Sequence, residues 1–189
     1  MKFNTQLLCR LALLVALNII LSRVFSIRIP LGGAEAFRIG FGSLPVIFAG
    51  VFFGPLAGSI VGALGDMLGF FISPQGAYMP HFTLAAALRG IIPGLIILAT
   101  SRGRKQVGIF SLFLATAVTL VLADIILLPY FLETLFGISR LVTVPTRIIQ
   151  NVVTIPVYTA ALFGLGKLIK KVLSPGWQGD IPTVTGKLW

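Results

Sequence analysis

Between Arg38 and Asp66 the chain reads IGFGSLPVIFAGVFFGPLAGSIVGALG, a stretch of 27 residues without a charged side chain. Three further stretches, of 18, 19 and 22 residues, also contain no Asp, Glu, Lys or Arg. An α-helix needs roughly 20 mostly apolar residues to cross the hydrocarbon core of a bilayer. The pattern therefore predicts an all-α integral membrane protein.

The composition supports this class and excludes others. Of the 189 residues, 57% are hydrophobic and 11% are charged, and the mean hydropathy is +1.02. Soluble domains carry about 25% charged residues and disordered chains are poor in hydrophobic ones, so neither class fits. The net charge of +10 would suit nucleic acid, but the basic residues border the neutral stretches and do not interleave with aromatic residues. We therefore expect a lipid bilayer, and no nucleic acid, as the partner of this surface.

Six transmembrane helices account for the apolar stretches. They are predicted at residues 7–26, 40–53, 56–72, 82–100, 107–128 and 142–169. The second is short for a full crossing. Nine Lys and Arg side chains fall on the side of the N-terminus and four on the other side, and basic loops favour the cytoplasm. We expect a six-transmembrane-helix bundle at residues 1–172 with both termini cytoplasmic, and a cytoplasmic C-terminal tail at residues 173–189.

Small residues recur through the second and third predicted spans. Gly50, Gly54, Gly58 and Gly62 stand at every fourth position, a spacing that lets membrane helices approach closely. Gly54 followed by Pro55 predicts the turn between the two spans. The repeat either packs the bundle internally or forms a surface that docks against a partner.

Two loops are predicted on the outer side, at residues 27–39 and 73–80. The second contains Pro74, Gly76 and Pro80, and three such residues within seven positions favour a loop over a helix. Charged and aromatic side chains in both loops could form the mouth of a pocket.

Four charged residues lie within or near the predicted spans: Asp66, Arg89, Asp124 and Arg147. A charge at the centre of a membrane helix costs roughly 2.5–3.5 kcal/mol, so such residues usually face the bundle interior. One interpretation is a buried ion pair that fixes helix packing, for example Asp66 with Arg89 or Arg147. The other is recognition of an anion, because the planar guanidinium suits carboxylates and phosphates.

The last span carries a polar helix face. Arg147, Gln150 and Asn151 stand at positions i, i+3 and i+4, which lie on one side of a helix. One cation and two amides suit a ligand with carboxylates and a hydrogen-bonding ring better than a metal ion. The chain has no GxxxxGK[ST] and no HExxH motif, and His81 is its only histidine. We expect no catalytic residues, no metal site and no resident cofactor, and thus no enzyme.

Several motifs together resemble a known family. They are RIGFGSLP at 38–45, FGP at 53–55 with the glycines around it, and P-x-G-x-Y-x-P-x-F-T-L at 74–84. This combination is similar to the S components of energy-coupling factor (ECF) vitamin transporters, and most similar to their folate-specific branch. The resemblance covers nearly the whole chain and agrees with its size and six-span plan.

The resemblance implies a function and a set of partners. An S component of the plasma membrane captures a vitamin, here folate, in a pocket open to the outside and topples to carry it inward. It hydrolyses no ATP itself and works with a transmembrane scaffold subunit and two ATP-binding cassette subunits. The family meets the scaffold through an alanine-xxx-alanine motif on the first helix, which Ala12 and Ala16 match. Without the resemblance, this pair would indicate packing within the molecule equally well.

The resemblance also implies the side chains that meet the ligand. For the polar or anionic parts of the vitamin we expect the set Arg147, Asn151, Gln150, Arg89, Arg28 and Arg38. For its flat ring we expect Tyr78, His81 and Phe82, since aromatic faces suit a heterocycle. The folate branch places a basic residue three positions after the arginine of its Pro-x-Arg motif, where this chain has Gln150.

Two other functions remain open at this point. The same architecture could bind riboflavin, pantothenate or another vitamin, because sister S components share fold and size. The third possible function is that of an integral-membrane enzyme acting on lipids. The sequence shows no clear catalytic nucleophile with a general base for it.

Overall fold

The computed structural model describes residues 5–23, 26–31, 34–74, 78–101, 106–173 and 183–185, and side chains only at 5–23, 40–74, 78–100, 108–135 and 137–168. Its helices, in chain order, are α1 (Thr5–Arg23), α2 (Ser43–Phe53), α3 (Pro55–Ile72), α4 (Pro80–Ser101), α5 (Ile109–Leu120), α6 (Leu128–Phe136) and α7 (Arg140–Leu173). A π-helical segment, Val121–Leu127, joins α5 to α6 without a break. The strands are β1 (Ser26–Leu31), β2 (Ala34–Gly40), β3 (Gln106–Gly108) and β4 (Thr183–Thr185).

A helix or a continuous helical unit lies at each of the six predicted spans, so the helical membrane class is confirmed. Five of these units are long and apolar enough to cross a membrane: Thr5–Arg23, Pro55–Ile72, Pro80–Thr100, Ile109–Leu135 and Arg140–Leu168. The sixth, α2, has 11 residues and is about 16 Å long, roughly half of the hydrocarbon thickness.

The predicted outer loop at 27–39 is wrong, because these residues build an antiparallel hairpin of β1 and β2. The sequence IRIPL alternates apolar and non-apolar residues, as do the triplets AEA and FRI that follow Gly32 and Gly33. Alternation around a Gly-Gly pair is a hairpin signal. The pairing places Arg28 opposite Arg38 along the backbone. The fold is thus a helical bundle with a hairpin between its first two helices.

The centre of the bundle is α2, in which every residue from Leu44 to Phe52 is buried. It packs against α1, α3 and α4. Large apolar side chains elsewhere point outward, with Leu13 and Phe71 each 70% exposed and Val152 67% exposed. Such a surface suits lipid rather than water.

Glycines bring α2, α3 and α4 into backbone contact. A Cβ added at Gly50 or Gly58 would overlap the carbonyl oxygen of Gly90, and one at Gly62 would overlap that of Ala86. We call Gly50, Gly58, Gly62 and Gly90 the glycine seam. The packing interpretation of the repeat is confirmed for these residues. At the end of α2, Gly54 has φ +96°, a conformation that favours glycine, and α3 begins at the next residue, as predicted.

The base of the hairpin is anchored inside the bundle. Asn18, buried on α1, donates a hydrogen bond of 2.7 Å from Nδ2 to the carbonyl oxygen of Gly42. Gly65 on α3 leaves the space that this amide occupies, because a Cβ there would overlap it. Near the end of α1, Arg23 donates from Nη1 to the carbonyl oxygen of Ser73 at 3.1 Å. The first bond fixes the point at which the chain leaves the hairpin and enters α2. The second ties the end of α1, from which the chain enters the hairpin, to the end of α3.

Candidate functional site

A polar face runs along the inner side of α7. Thr143, Arg147, Asn151 and Tyr158 are each at most 7% exposed. Their spacings of four, four and seven residues place them on one side of the helix. On the opposite side lie apolar residues that point outward, such as Val152. Membrane helices turn polar side chains inward because lipid offers no hydrogen-bond partners, so this face marks the interior of the bundle as polar.

Tyr158 ties this face to the hairpin. Its hydroxyl donates a hydrogen bond of 2.6 Å to the carbonyl oxygen of Gly40, the last residue of β2. The ring of Phe41 lies 6.3 Å from the Tyr158 ring between centroids. Strand β2 as a whole lies against α7. The hairpin therefore forms one wall beside the polar face.

Asn151 ties the face to the opposite wall. Its Nδ2 donates to the carbonyl oxygen of Leu120 at 3.4 Å, the residue directly before the π-helical segment. At the end of that segment the backbone N–H of Leu128 donates a hydrogen bond to the carbonyl oxygen of Ala123, five residues earlier. Such π turns are rare and frequent at functional sites. Gln150, the second predicted amide, is only partly buried.

The π-helical segment carries Asp124, which forms an ion pair with Arg89 of α4. Nη2 of Arg89 donates to Oδ1 of Asp124. The two side chains are 21% and 12% exposed, so the pair lies within the bundle. The π-helical segment that carries Asp124 contacts α7, and Asn151 of the polar face bonds the carbonyl oxygen of Leu120, four residues before Asp124. The ion pair and the polar face therefore belong to one cluster.

This pairing corrects the predicted partners of Asp66, since Arg89 pairs with Asp124. The glycine seam sets the register of α3 against α4 and places Asp66 beside Thr83. Arg89 lies six residues beyond Thr83 on α4, or about 9 Å at the rise of an α-helix. Among the described residues, Asp66 is bonded by Thr83 and by neither Arg89 nor Arg147.

A second series of polar contacts lies where α3 ends and α4 begins. Thr83 donates from Oγ1 to Oδ2 of Asp66 at 2.8 Å. Because that bond uses the only hydroxyl proton of Thr83, the contact of 2.9 Å with Tyr78 is a donation from the Tyr78 hydroxyl. The Tyr78 ring lies 5.2 Å from that of Phe70. Tyr78 is thus held against α3 by both its ring and its hydroxyl.

The other predicted aromatic residues stand at the start of α4. His81 contacts the ring of Phe131 on α6 edge-on at 5.3 Å, and Phe82 is partly buried. The structure therefore brings Arg89 into one cluster with Arg147 and Asn151. It leaves Tyr78 in the segment before α4, against Phe70 of α3, and His81 on the first turn of α4, against α6. The side chains of Arg28 and Arg38 lie outside the described ones.

Two residues of the cluster were absent from the predicted site. Tyr158 follows Asn151 by seven positions, which is two helical turns, so the helical period alone could have added it. Asp124 was singled out as a charge within a span, but no sequence signal linked it to the α7 face. Among the described side chains, no group of three or more His, Cys, Asp or Glu could hold a metal ion.

Comparisons with known proteins agree on the family. The model of the family described as "ECF-type riboflavin transporter, S component" matches residues 2–170. The folate transporter FolT of Clostridium novyi (strain NT) is 37% identical over 127 residues, which cover 67% of this chain and 68% of that protein.

Two solved structures are similar in fold. A crystal structure of FolT bound with folic acid has a TM-score of 0.70 and 30% identity, over 84% of this chain and 91% of that one. The S component of a bacterial ECF transporter has a TM-score of 0.62 and 25% identity, over 87% of this chain and 98% of that one. These are transporter components and not enzymes. The chain belongs to the S-component family of ECF-type transporters and is a multi-pass protein of the plasma membrane.

Proposed function

We propose that this S component captures folate from outside the cell, and that its ligand lies between the polar face of α7, the hairpin and the π-helical segment. One observation carries the proposal: a cation, Arg147, is buried at 7% exposure on a helix whose other side faces lipid. Such a placement is costly and marks a functional site by default. Folate suits it because its glutamate tail carries two carboxylates, which guanidinium groups bind well.

Residues around this face complete the proposed site. Asn151 and Gln150 offer amides next to Arg147, and Arg89 stands in the neighbouring ion pair. Tyr78, His81 and Phe82, at and just before the start of α4, are proposed to close the site, with their rings against the heterocycle of the ligand. Arg28 and Arg38 of the hairpin are proposed as further contacts for the anionic tail.

Riboflavin is the second candidate, because the family model that matches this chain is described by that vitamin. The two candidates differ in charge, since riboflavin carries no carboxylate. A buried arginine therefore favours folate, as do the names of the relatives. Pantothenate, which has one carboxylate, is the third member of a useful test panel.

The transport role adds a topology and partners to the proposal. We infer six membrane crossings with both termini cytoplasmic. Five are the long apolar helical units, and the remaining one is the short helix α2 together with the adjoining hairpin. The domain would comprise residues 1–172, followed by a tail at 173–189. Uptake would require a transmembrane scaffold subunit and two ATP-binding cassette subunits, with Ala12 and Ala16 at the scaffold contact.

A titration of the detergent-purified protein tests the ligand. Folic acid, riboflavin and pantothenate are added separately and binding is followed by calorimetry, with mass spectrometry of any ligand that co-purifies. We expect folic acid to bind at least 100-fold more tightly than the other two, a difference of about 2.7 kcal/mol. Tighter binding of riboflavin would transfer the assignment to the second candidate.

A further inference from the structure

The carboxylate of Asp124 has hydrogen-bonding capacity that the described residues do not use. The residue is 8% exposed, and Arg89 bonds its Oδ1. Among the described residues, no other donor reaches either oxygen. An ionised carboxylate has about four lone-pair sites, and buried polar groups normally find partners. The side chain retains 12% exposure, which leaves room for a further donor beside that of Arg89.

This carboxylate belongs to the interior next to α7. Asn151 bonds the carbonyl oxygen of Leu120, about one turn before Asp124. Tyr158, on the same face of α7 as Asn151, closes the other side by its bond to Gly40. A ligand that lies along the polar face of α7 therefore meets a fixed acceptor at this position.

The geometry of such an acceptor selects the ligand's ring. A carboxylate accepts two parallel N–H bonds from a planar group that carries two adjacent donors. The 2-amino-4-oxopyrimidine edge of a pterin has this arrangement, with the ring N3–H beside the 2-amino group. The edge of a flavin has one N–H between two carbonyl oxygens, which would face the carboxylate without a donor. Buried groups left unpaired in this way cost 1–3 kcal/mol or more.

We propose that Asp124 is the specificity-determining residue of the site and accepts the N3–H and 2-amino donors of a pterin-type ring. Arg89 is a positioning residue, which holds the carboxylate in place through one lone pair of Oδ1 and leaves the other lone pair of Oδ1, together with Oδ2, for the two donors of the ligand. This inference rests on the proposed function. It explains how this chain can bind folate although the family model that matches it is described by riboflavin.

A pair of ligands tests the proposal on the unaltered protein. Folic acid is compared with its analogue in which an oxo group replaces the 2-amino group, so that size, tail and charge stay the same. We expect the analogue to bind about 100-fold more weakly, because sites built for a donor reject the analogue that lacks it. Equal binding of the two overturns the role of Asp124 and leaves folate capture standing. If neither binds, the proposed function itself is overturned.

Variants then locate the preference. In Asp124→Asn the amide offers one acceptor and one donor, so we expect the preference for folic acid over the oxo analogue to fall below about tenfold. Asp124→Glu keeps the carboxylate and should retain most of the preference, even if both ligands bind more weakly. Glu133→Gln is the matched control, because Glu133 is a half-exposed carboxylate of the same helical unit, paired with Arg140. It should leave the preference unchanged.

The stability of the variants is followed by thermal unfolding in detergent. Should Asp124→Asn fail to fold without the counter-charge for Arg89, the comparison of the two ligands on the unaltered protein still decides the question. A folded Asp124→Asn variant that keeps the full preference overturns the proposal.

Discussion

Arg147 is the residue on which the proposed site depends most. Its side chain is buried on α7 at the position where the sequence placed a cation beside two amides. A bulky cation in this setting is not needed to fill space, since apolar side chains would do so at lower cost. Its presence is explained if it meets the negative charge of a ligand.

Replacing Arg147 by alanine should therefore weaken the binding of folic acid. We expect a loss of at least tenfold, or about 1.4 kcal/mol, measured by titration of the purified variant. The control is Lys167→Ala, which removes an exposed cation from the same helix, near Phe163, and should not change the affinity. An unchanged affinity in a folded Arg147→Ala protein would remove this residue from the site.

Tyr158 acts on the ligand indirectly, through the hairpin. Tyr158→Phe keeps the buried ring and deletes only the bond from its hydroxyl to Gly40. One such bond contributes about 1 kcal/mol, so we expect the ligand to dissociate roughly fivefold faster. Stopped-flow fluorescence measures this rate. Tyr130→Phe, on the half-exposed ring of α6, is the control, and equal rates in all three proteins would contradict the role given to Tyr158.

At the scale of elements, the helices followed from the sequence because long neutral stretches leave few alternatives in a bilayer. The hairpin was not predicted, since a short alternation of apolar and polar residues is a weaker signal of secondary structure than a long apolar stretch. The partner of Arg89 could not be derived either. The aspartate that Arg89 meets depends on how neighbouring helices are aligned along their axes. For α3 and α4 this register is set by the backbone contact between Gly58 and Gly90.

The glycine seam gives this register a direct test. In Gly90→Ala the new methyl group would overlap the backbone of Gly58, so α3 and α4 must separate. Overpacking of this kind costs typically 1–3 kcal/mol, and we expect a lower midpoint of thermal unfolding in detergent. Gly164→Ala is the matched control, because a Cβ at Gly164 meets nothing within 4 Å. Equal midpoints for the two variants would show that the seam is not close-packed.

At the scale of the whole molecule, the charges separate into two groups with different roles. Most Lys and Arg residues border the neutral stretches of the sequence, where their distribution favours one orientation in the membrane. Arg89 and Arg147 lie inside, next to the polar face of α7. The net charge of +10 therefore describes topology more than ligand preference. Only Arg89 and Arg147, with Arg28 and Arg38 of the hairpin, are proposed to bear on the ligand.

The outer surface of α1 is the part of the molecule with a proposed protein partner. Ala12 and Ala16 are exposed on this helix, next to Leu13 and Leu17, which are 70% and 40% exposed. Small residues on a lipid-facing helix leave a shallow groove into which another helix can pack. The face lies away from Arg147 and Asn151, since α1 packs against α2 and α3. Docking and ligand capture should therefore be separable.

Replacing both Ala12 and Ala16 by tryptophan should abolish uptake and spare binding. Bulky side chains would fill the groove and keep the scaffold helix away, while the site on α7 stays intact. The measurements are folic acid binding to the purified protein and uptake by cells or proteoliposomes that contain the scaffold and both ATPase subunits. Ala160→Trp, which enlarges an exposed alanine of α7, controls for bulk on the lipid-facing surface. If the double variant binds and transports normally, these alanines face only lipid, and the scaffold must contact another surface.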